Sequence, residues 1–417
     1  MNKLFYNTTV RQLFFLLLSV SILQVACKKD NGAPPVIKNV RLVDSTKRDS
    51  FFVQAVIGSL LTIQGQGFNG LSHVYFNNVD APFNAALNSD QNIIITIPSN
   101  TPTQVTDASV PNQIKVVTTH GTALYTFTVL EPPPAINTIS NENAQPGTAI
   151  TITGSNFYLI KSIIFPGNIS TTNFAVSADV TSINVTVPAG VTTAGPLQVV
   201  GQFGTGVTPY PFNSVGAPSA GFLANFENGN AYFGWQYWGG IYTNWTPSYL
   251  ATFPGNTGDF IVVNPSGTIN AGDGTWYADN RAVNVAAGAW VPSSNMSDPV
   301  ANYALKFEIS VAVPWTAGSF MIAPNGNFNF LARYAPWQTS ASGQFVTNGW
   351  QTVTIPLTSF LSGSGSYNAS GSPANHLSDL TGSSNSATIQ IMLYNDGTTP
   401  ITSFNAAVDN VRIVKIK

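Results

Sequence analysis

The stretches "LTIQGQGF" (Leu61–Phe68) and "ITITGSNF" (Ile150–Phe157) decide the fold of the region from residue 36 to residue 214. In each, apolar and polar residues alternate before a glycine, which predicts a half-buried strand that ends in a sharp exit. Two further pairs of segments repeat in the same order, at an offset of about 90 residues that suits one β-sandwich per repeat. These pairs are "HVYFNNV" (His73–Val79) with "SIIFPGN" (Ser162–Asn168), and "IIITIPSN" (Ile93–Asn100) with "INVTVPAG" (Ile183–Gly190).

The repeated strands resemble the IPT/TIG family of immunoglobulin-like domains, through the T-I-x-G-x-x-F strand and turn and the later I-T-I-P or V-T-V-P strand. The resemblance implies two tandem Ig-like β-sandwiches, at residues 36–130 and 134–214, which usually act as spacers or interaction modules. Between them lies "LEPPPAI" (Leu130–Ile136). Its consecutive prolines predict a semi-rigid linker, because they lack amide donors and hold extended geometry.

A targeting segment precedes the repeats. Positive charge at Lys3 and Arg11 comes before the apolar run "LFFLLLSVSIL" (Leu13–Leu23), which is too short for a comfortable membrane span. We therefore expect a signal peptide at residues 1–26 and a polar tether at residues 27–35.

Cys27 follows this run directly and is the only cysteine in the chain, so it has no disulfide partner. "QVAC" resembles the lipobox of bacterial lipoproteins, although Gln24 stands where that motif usually has leucine. The resemblance implies lipidation of Cys27. An N-terminal lipid is compatible with inner-membrane retention, with periplasmic anchoring in the outer membrane and with display at the cell surface, and we expect outer-membrane anchoring at the cell surface. An ordinary secretory signal followed by an incidental cysteine is the alternative.

The composition points to an all-β protein. Only 8% of the residues are charged, against ~25% in typical soluble domains, while strand-forming residues are common. The net charge of −2 and the lack of a basic stripe argue against a nucleic-acid partner. All eight tryptophans lie between Trp235 and Trp350, after a second boundary at "PYPFNSVGAPSAGF" (Pro209–Phe222). Short alternating runs there predict a third domain at 215–417, a jelly-roll-like β-sandwich.

Three segments of this last domain resemble carbohydrate-binding jelly rolls: "FLANFENGN" (Phe222–Asn230), "NGWQTVTIPLTSF" (Asn348–Phe360) and "AVDNVRIV" (Ala407–Val414). With the lipidated start and the Ig-like repeats, the whole chain resembles the surface glycan-binding lipoproteins of Gram-negative polysaccharide-utilisation systems, and its end resembles their xyloglucan-binding-type domain. The resemblance implies non-catalytic capture of a polysaccharide of β-glucan, xyloglucan or mannan type for uptake. An outer-membrane glycan transporter complex is the implied partner.

Aromatic platforms would carry such binding, because a flat ring matches the apolar face of a sugar and neighbouring polar groups match its hydroxyls. The best candidate segment is "FLARYAPWQTSASGQF" (Phe330–Phe345). In it Tyr334 and Trp337 flank a proline and Arg333 offers hydrogen bonds, so we expect an exposed, stiffened loop.

Other rings join this candidate site. Trp315 repeats the Pro-Trp pairing in "VPWTAGSF" (Val313–Phe320), and Trp276 lies between acids in "GDGTWYADN" (Gly272–Asn280). Trp235 and Trp238 lie in the Gly-rich "NGNAYFGWQYWGG" segment. For each of these rings packing in the core is the alternative, and for Trp235 and Trp238 the two readings are evenly balanced.

No cofactor is required for this binding, but the resemblance implies a structural calcium site. Glu227 and Asp409 occupy matching places near the first and last strands, and oxygen ligands suit Ca²⁺. The alternative is that Asp409 only caps a turn.

Two other functions compete with glycan binding. A glycosidase needs two suitably placed carboxylates, yet the glutamates of the last domain, Glu227 and Glu308, lie on apparent strands away from the ring-rich loops. The sequence has no G-x-S-x-G nucleophile elbow. We therefore expect no enzyme. An adhesin that uses the Ig-like repeats would leave the tryptophan cluster without a purpose.

Overall fold

The computed structural model describes residues 32–44, 46, 49–214, 220–227, 239–256, 258–276, 279–326, 328–363 and 370–417. The chain divides into two compact units, Met1–Pro132 and Pro133–Lys417. Within the described ranges no helix has the length and apolar character needed to cross a membrane.

The first unit is the predicted Ig-like sandwich. Three antiparallel strands in the order β1-β3-β6 form one sheet, four in the order β5-β4-β7-β8 form the other, and β2 pairs in parallel with β9. The strands are β1 (Val36–Leu42), β2 (Gln54–Val56), β3 (Leu60–Gln66), β4 (Leu71–Phe76), β5 (Val79–Asp80), β6 (Asn92–Thr96), β7 (Gln113–Thr118), β8 (Gly121–Thr126) and β9 (Thr128–Leu130). A 3₁₀ turn spans Ala85–Leu87.

The glycine of the repeated motif is explained by a close approach between strands. A Cβ atom on Gly65 would lie 1.9 Å from the carbonyl oxygen of Val36 in β1, and one on Gly154 in the second repeat would lie 2.0 Å from that of Ala135. Only glycine lets the neighbouring backbones come this close. The phenylalanines that end the motif, Phe68 and Phe157, are buried in the two separate cores.

The second unit begins with the second Ig-like sandwich. Its sheets have the orders β10-β11-β15-β14 and β13-β12-β16-β17. The strands are β10 (Ala135–Ile139), β11 (Ala149–Ser155), β12 (Ile160–Phe165), β13 (Ile169–Thr171), β14 (Phe174–Val176), β15 (Ser182–Thr186), β16 (Gly195–Gly201) and β17 (Gly204–Phe212), with a 3₁₀ turn at Pro166–Asn168.

A larger two-sheet sandwich follows in the same unit, as the sequence predicted. One sheet has the order β19-β20-β28-β22-β25, with β18 pairing with β28, and the other has the order β21-β27-β23-β24-β26. The strands are β18 (Phe222–Ala224), β19 (Ile241–Tyr242), β20 (Ile261–Val263), β21 (Ala282–Ala289), β22 (Tyr303–Val311), β23 (Ser319–Pro324), β24 (Phe330–Tyr334), β25 (Gln351–Pro356), β26 (Leu361–Ser362), β27 (Ser386–Tyr394) and β28 (Ala406–Lys415).

Short helical turns connect these strands. They are the α-helical turns Tyr249–Thr252 and Leu377–Thr381 and the 3₁₀ turns Ser293–Asn295, Val300–Asn302, Pro336–Gln338, Leu357–Ser359 and Gly382–Ser384. The main core lies between the two sheets and includes the inward residues of β22, the fully buried Trp290 and Trp315, and the buried Phe404. The all-β class predicted from composition is therefore confirmed.

Candidate functional site

The second sheet of the last sandwich carries a distinct cluster on its outer face. Along β23, Phe320 and Ile322 point into the main core, whereas Met321 and Ala323 belong to the separate outer cluster. This follows from the two-residue period of a strand. Across the sheet, Met321 pairs with Met392 of β27 on one side and with Arg333 of β24 on the other.

Trp276 lies against this outer face. Its ring is half-buried, packs against the outer cluster and lies 5.1 Å from the ring of Phe328, at an angle of 55°. The loop that carries it is tied to the end of β27, because the Gly272 amide donates to the Gly397 carbonyl oxygen over 2.9 Å. Trp276 therefore lies outside the strands with its side chain partly exposed.

Arg333 is held at one end of the same face. Its Nη1 donates to Ser319 Oγ over 2.8 Å and its Nη2 to Asp396 Oδ2 over 3.0 Å. The guanidinium carbon lies 4.8 Å from the centre of the Tyr394 ring. These contacts fix a planar cation that is still 23% exposed, with its partner Asp396 largely exposed. The Arg333 guanidinium and the Asp396 carboxylate therefore present hydrogen-bonding groups in a fixed orientation.

Trp337 lines a cleft beside that ion pair. The cleft has a volume of about 200 Å³ and combines the indole ring with amide, carboxylate and hydroxyl groups, from Gln338, Asn395, Asp396, Thr398 and Thr399 among others. Trp337 Nε1 donates to the Gly318 carbonyl oxygen over 2.8 Å, and the ring stands on the Pro336–Gln338 turn. The ring is therefore half-buried and rigidly held, with one part facing the cleft.

The structure overturns the expectation for Trp315. Its side chain is 0% exposed, and its Nε1 donates to the Ala317 carbonyl oxygen over 2.8 Å. Its ring makes an edge contact at 5.0 Å with Phe404 in the main core. A ring closed in on all sides cannot stack on a sugar, so the prediction of an exposed Trp315 platform was wrong.

Tyr334 also faces inward. The segment Phe330–Tyr334 is a strand and not the loop that the sequence suggested, so side chains alternate and Tyr334 points opposite to Arg333. Its ring meets Phe307 at 6.3 Å and Trp315 at 5.9 Å, and burial raises the pKa of its hydroxyl. Tyr334 therefore supports the core under Trp337 and is not a second exposed platform.

Among the tryptophans that the structure describes, Trp245 is an exposed ring that the sequence analysis did not select. It is 56% exposed and rests edge-on against Tyr242, with ring centres 5.0 Å apart. Its backbone N–H donates to the Tyr242 carbonyl oxygen, and the Asn244 amide beside it donates to Asp259 over 3.0 Å. The signal was present in "TNWTPS", where Trp245 lies in a polar segment that also contains a proline.

Several of the predicted sites lie outside the described residues. They are the lipidation site Cys27 and the rings Trp235 and Trp238. Their roles stay predictions from the sequence.

The two carboxylates proposed for calcium lie close together. Burial raises the pKa of Asp409 well above its ordinary value, and the charges of Glu308 and Glu227 raise it further. Burial also raises the pKa of Glu227, whose Oε1 accepts the Asp259 N–H over 3.0 Å. The Asn256 amide donates to Asp409 Oδ2.

Gly258 makes room for this arrangement. A Cβ atom there would lie 1.7 Å from Glu227 Oε1. The carboxylate and amide oxygens of Glu227, Asp409 and Asn256 are of the kind that Ca²⁺ prefers. Within the described ranges, however, no group of three or more His, Cys, Asp or Glu side chains is arranged to hold a metal ion. Calcium would therefore need backbone or amide oxygens as well.

Comparison with known proteins gives a family match for the last sandwich. Residues 217–415 match the family model described as the surface glycan-binding protein B xyloglucan binding domain. An IPT/TIG domain-containing protein from Bacteroides ovatus is 29% identical over 222 residues, which cover 50% of this chain and 45% of that relative. The match thus spans less than half the length of the relative.

A solved structure shows the same fold. The surface glycan-binding protein PbSGBP-B from Prevotella bryantii is 22% identical, with a TM-score of 0.57 over 92% of this chain and 99% of that one. This likeness extends over the Ig-like repeats as well as the last sandwich. Residues 217–415 thus match the model of the xyloglucan-binding-type domain that the sequence resembled.

Proposed function

We propose that this protein binds a polysaccharide without cleaving it, at the end of the last sandwich where β24 and β27 end and β23 begins. The observation that carries the proposal is the Trp337 cleft, where a rigid indole lies beside the oriented Arg333–Asp396 pair. The family of residues 217–415 supports it, because its description names a xyloglucan-binding domain.

The chemistry of the cleft suits a pyranose chain. An indole face removes the apolar C–H face of a sugar from water, which stabilises binding at ~25 cal/mol per Å² of apolar area. The Arg333 guanidinium, the Gln338 amide and the Thr398 hydroxyl can bond the hydroxyls at the rim. Because each platform is weak, Trp337 and Trp276 together are expected to hold successive parts of a long ligand. Trp245, which rests on β19 of the other sheet, is a separate candidate platform.

Xyloglucan is the first ligand to test, since the family description names it. Other β-glucans and mannans present similar equatorial hydroxyls and stay as alternatives. The shallow cleft of about 200 Å³ is too small to enclose a branched chain, so recognition would occur along an open surface.

The position of Glu308 supports binding without catalysis. This glutamate is 2% exposed, and its carboxylate accepts bonds from Arg412, Asn143 and Thr352. It is thus held away from solvent on the first sheet, and it cannot pair with Glu227 across a bound sugar as a glycosidase requires.

Lipidation of Cys27 would place this binding surface on the outside of the cell. Acyl chains contribute about 0.8 kcal/mol per buried CH₂, so several chains would anchor the protein stably in the outer membrane. We infer that it captures glycan there and passes it to an outer-membrane glycan transporter complex.

A structural calcium ion is a separate part of the proposal. Glu227 and Asp409 would be its carboxylate ligands and Asn256 an amide ligand, and the ion would offset the buried charge of Asp409. Its role would be to tie the loop after β18 to the last strand, not to touch the glycan.

Affinity electrophoresis of the mature chain through gels that contain xyloglucan, mixed-linkage β-glucan or mannan tests the function. We expect retardation by one or more of them, most strongly by xyloglucan, and no change in the size of the polysaccharide. Release of oligosaccharides would show an enzyme. Unretarded migration in every gel would contradict glycan binding.

A further inference from the structure

Four ionisable side chains form a buried cluster where the second Ig-like repeat meets the last sandwich. They are Glu142 of the repeat and Lys306, Glu308 and Arg412 of the sandwich, each 1% or 2% exposed. Lys306 Nζ pairs with Glu142, while Arg412 Nη2 lies 2.8 Å from the other oxygen of the same carboxylate. Arg412 also binds Glu308 through two bonds of 2.8 and 2.9 Å.

The charges of these four side chains balance only when the repeat and the sandwich both contribute. The sandwich supplies two cations and one carboxylate, and the repeat supplies the second carboxylate, Glu142. Burial lowers the pKa of Lys306, and the Glu142 carboxylate opposes that shift. The repeat also supplies Tyr210, whose ring centre lies 3.3 Å from Lys306 Nζ.

Neutral hydrogen bonds surround the cluster. Asn143 Nδ2 donates to Glu308 Oε2 over 2.8 Å, and the hydroxyl of Thr352 accepts the Glu142 N–H over 2.8 Å. The Thr352 N–H in turn donates to the Ser140 carbonyl oxygen over 2.8 Å. Each of these bonds joins a residue of the repeat to one of the sandwich.

The last strand adds apolar contact. Val414 and Ile416, at and beyond the end of β28, pack against the hydrophobic core of the repeat. All nine residues of β22 are buried. One face of β22 forms the main core, and Lys306 and Glu308 lie on its other face in the contact with the repeat.

A buried ion pair that loses one partner is strongly destabilising, because the remaining charge stays out of water without compensation. We propose that the second Ig-like repeat is a structural part of the binding domain, not a detachable spacer. Glu142 provides the counter-charge that keeps Lys306 and Arg412 buried, and residues 133–417 fold and unfold as one cooperative unit. This inference does not depend on which ligand the domain binds.

The tryptophans provide a direct test, since all eight lie between Trp235 and Trp350 and the Ig-like repeats contain none. Their fluorescence reports unfolding of the last sandwich alone. In the full mature chain, Glu142→Gln should lower the midpoint of the tryptophan-detected thermal transition by about 5 °C or more. An unchanged midpoint would show that the last sandwich does not depend on Glu142 of the neighbouring repeat, and it would overturn the proposal.

Glu131→Gln is the matched control. Glu131 is a buried glutamate of the first unit whose carboxylate accepts a bond of 2.6 Å from Thr103. Its substitution should leave the tryptophan-detected midpoint unchanged. If Glu131→Gln lowers that midpoint as much as Glu142→Gln does, the effect is not specific to the cluster and the proposal fails.

If Glu142→Gln does not fold, the wild-type chain still decides the matter. Hydrogen exchange in increasing urea should show the amides of β16 in the repeat and of β22 in the sandwich opening at the same urea concentration. Opening of β16 at lower urea, with β22 still protected, would show two independent domains and contradict the proposal.

Discussion

Trp337→Ala should weaken glycan binding much more than it weakens the fold. One face of the indole offers roughly 80 Å² to a sugar, out of the 150–250 Å² that an aromatic side chain can bury. At ~25 cal/mol per Å² this is about 2 kcal/mol. The costs of association are shared by wild type and variant, so this difference corresponds to an increase in Kd of about thirtyfold, and at least tenfold if the face stacks in part.

The fold should lose less. Trp337 is only half-buried, and its Nε1–H bond to Gly318 is replaced by a bond to water when the ring is removed. Trp315→Ala is the opposite case, because a fully buried tryptophan truncated to alanine costs about 3–5 kcal/mol of unfolding free energy. The two tryptophans therefore differ in kind although both follow a proline.

Calorimetric titration with a xyloglucan oligosaccharide and thermal unfolding of the same samples separate these effects. Trp337→Ala should raise Kd and keep a folded, cooperative transition. Trp315→Ala should lower the midpoint strongly and bind normally where it is still folded. Normal binding by Trp337→Ala, or a loss explained by unfolding, would remove Trp337 from the site and move it to the other exposed rings.

Three further outcomes follow from the structure. Trp245→Ala should weaken polysaccharide binding severalfold with an unchanged unfolding midpoint, since the ring is 56% exposed; titration that matches wild type would count against a platform there. With a chelator present, the free energy of unfolding of the wild type should fall as pH rises from the ordinary carboxyl pKa through the raised pKa of Asp409, because Asp409 then ionises while buried. Asp409→Asn should reduce that pH dependence, and added Ca²⁺ should stabilise only the wild type. Calorimetry at several pH values measures both effects. Cys27→Ala should release the protein into the soluble fraction and abolish labelling with fatty acid, and equal labelling of both forms would contradict lipidation.

The repeats were predictable because their signal is local. The motif glycine, the alternating strand before it and the phenylalanine after it all lie within eight residues. The glycine is needed where the neighbouring strand comes close, as at Gly65 and Gly154. The all-β class followed in the same way from composition and turn residues.

The site was predicted only in part, because neighbouring side chains on a strand point to opposite faces of the sheet. Arg333 and Tyr334 are adjacent, yet one lies on the outer face and the other on the core. The proline led us to expect a loop over the whole segment, but the strand continues to Tyr334 and the loop begins after it. Trp315 was misjudged for a related reason, since a proline before a ring does not show which way the ring points.

The ionic cluster could not have been foreseen from the sequence. Lys306 and Arg412 meet Glu142 across 164 and 270 residues of sequence, and both lie on strands with ordinary alternation of apolar and polar residues. Only the docking of the repeat on β22 and β28 brings the Glu142 carboxylate to these two cations.

A crystal structure of the full mature chain with a bound xyloglucan oligosaccharide tests the central claim most directly. Our account predicts a sugar ring stacked on Trp337 at van der Waals distance, about 4 Å, with hydroxyls near Arg333 and Asp396 in the cleft where β24 and β27 end and β23 begins. A glycan bound only to the Ig-like repeats, or on the last sandwich away from Trp337, would contradict it.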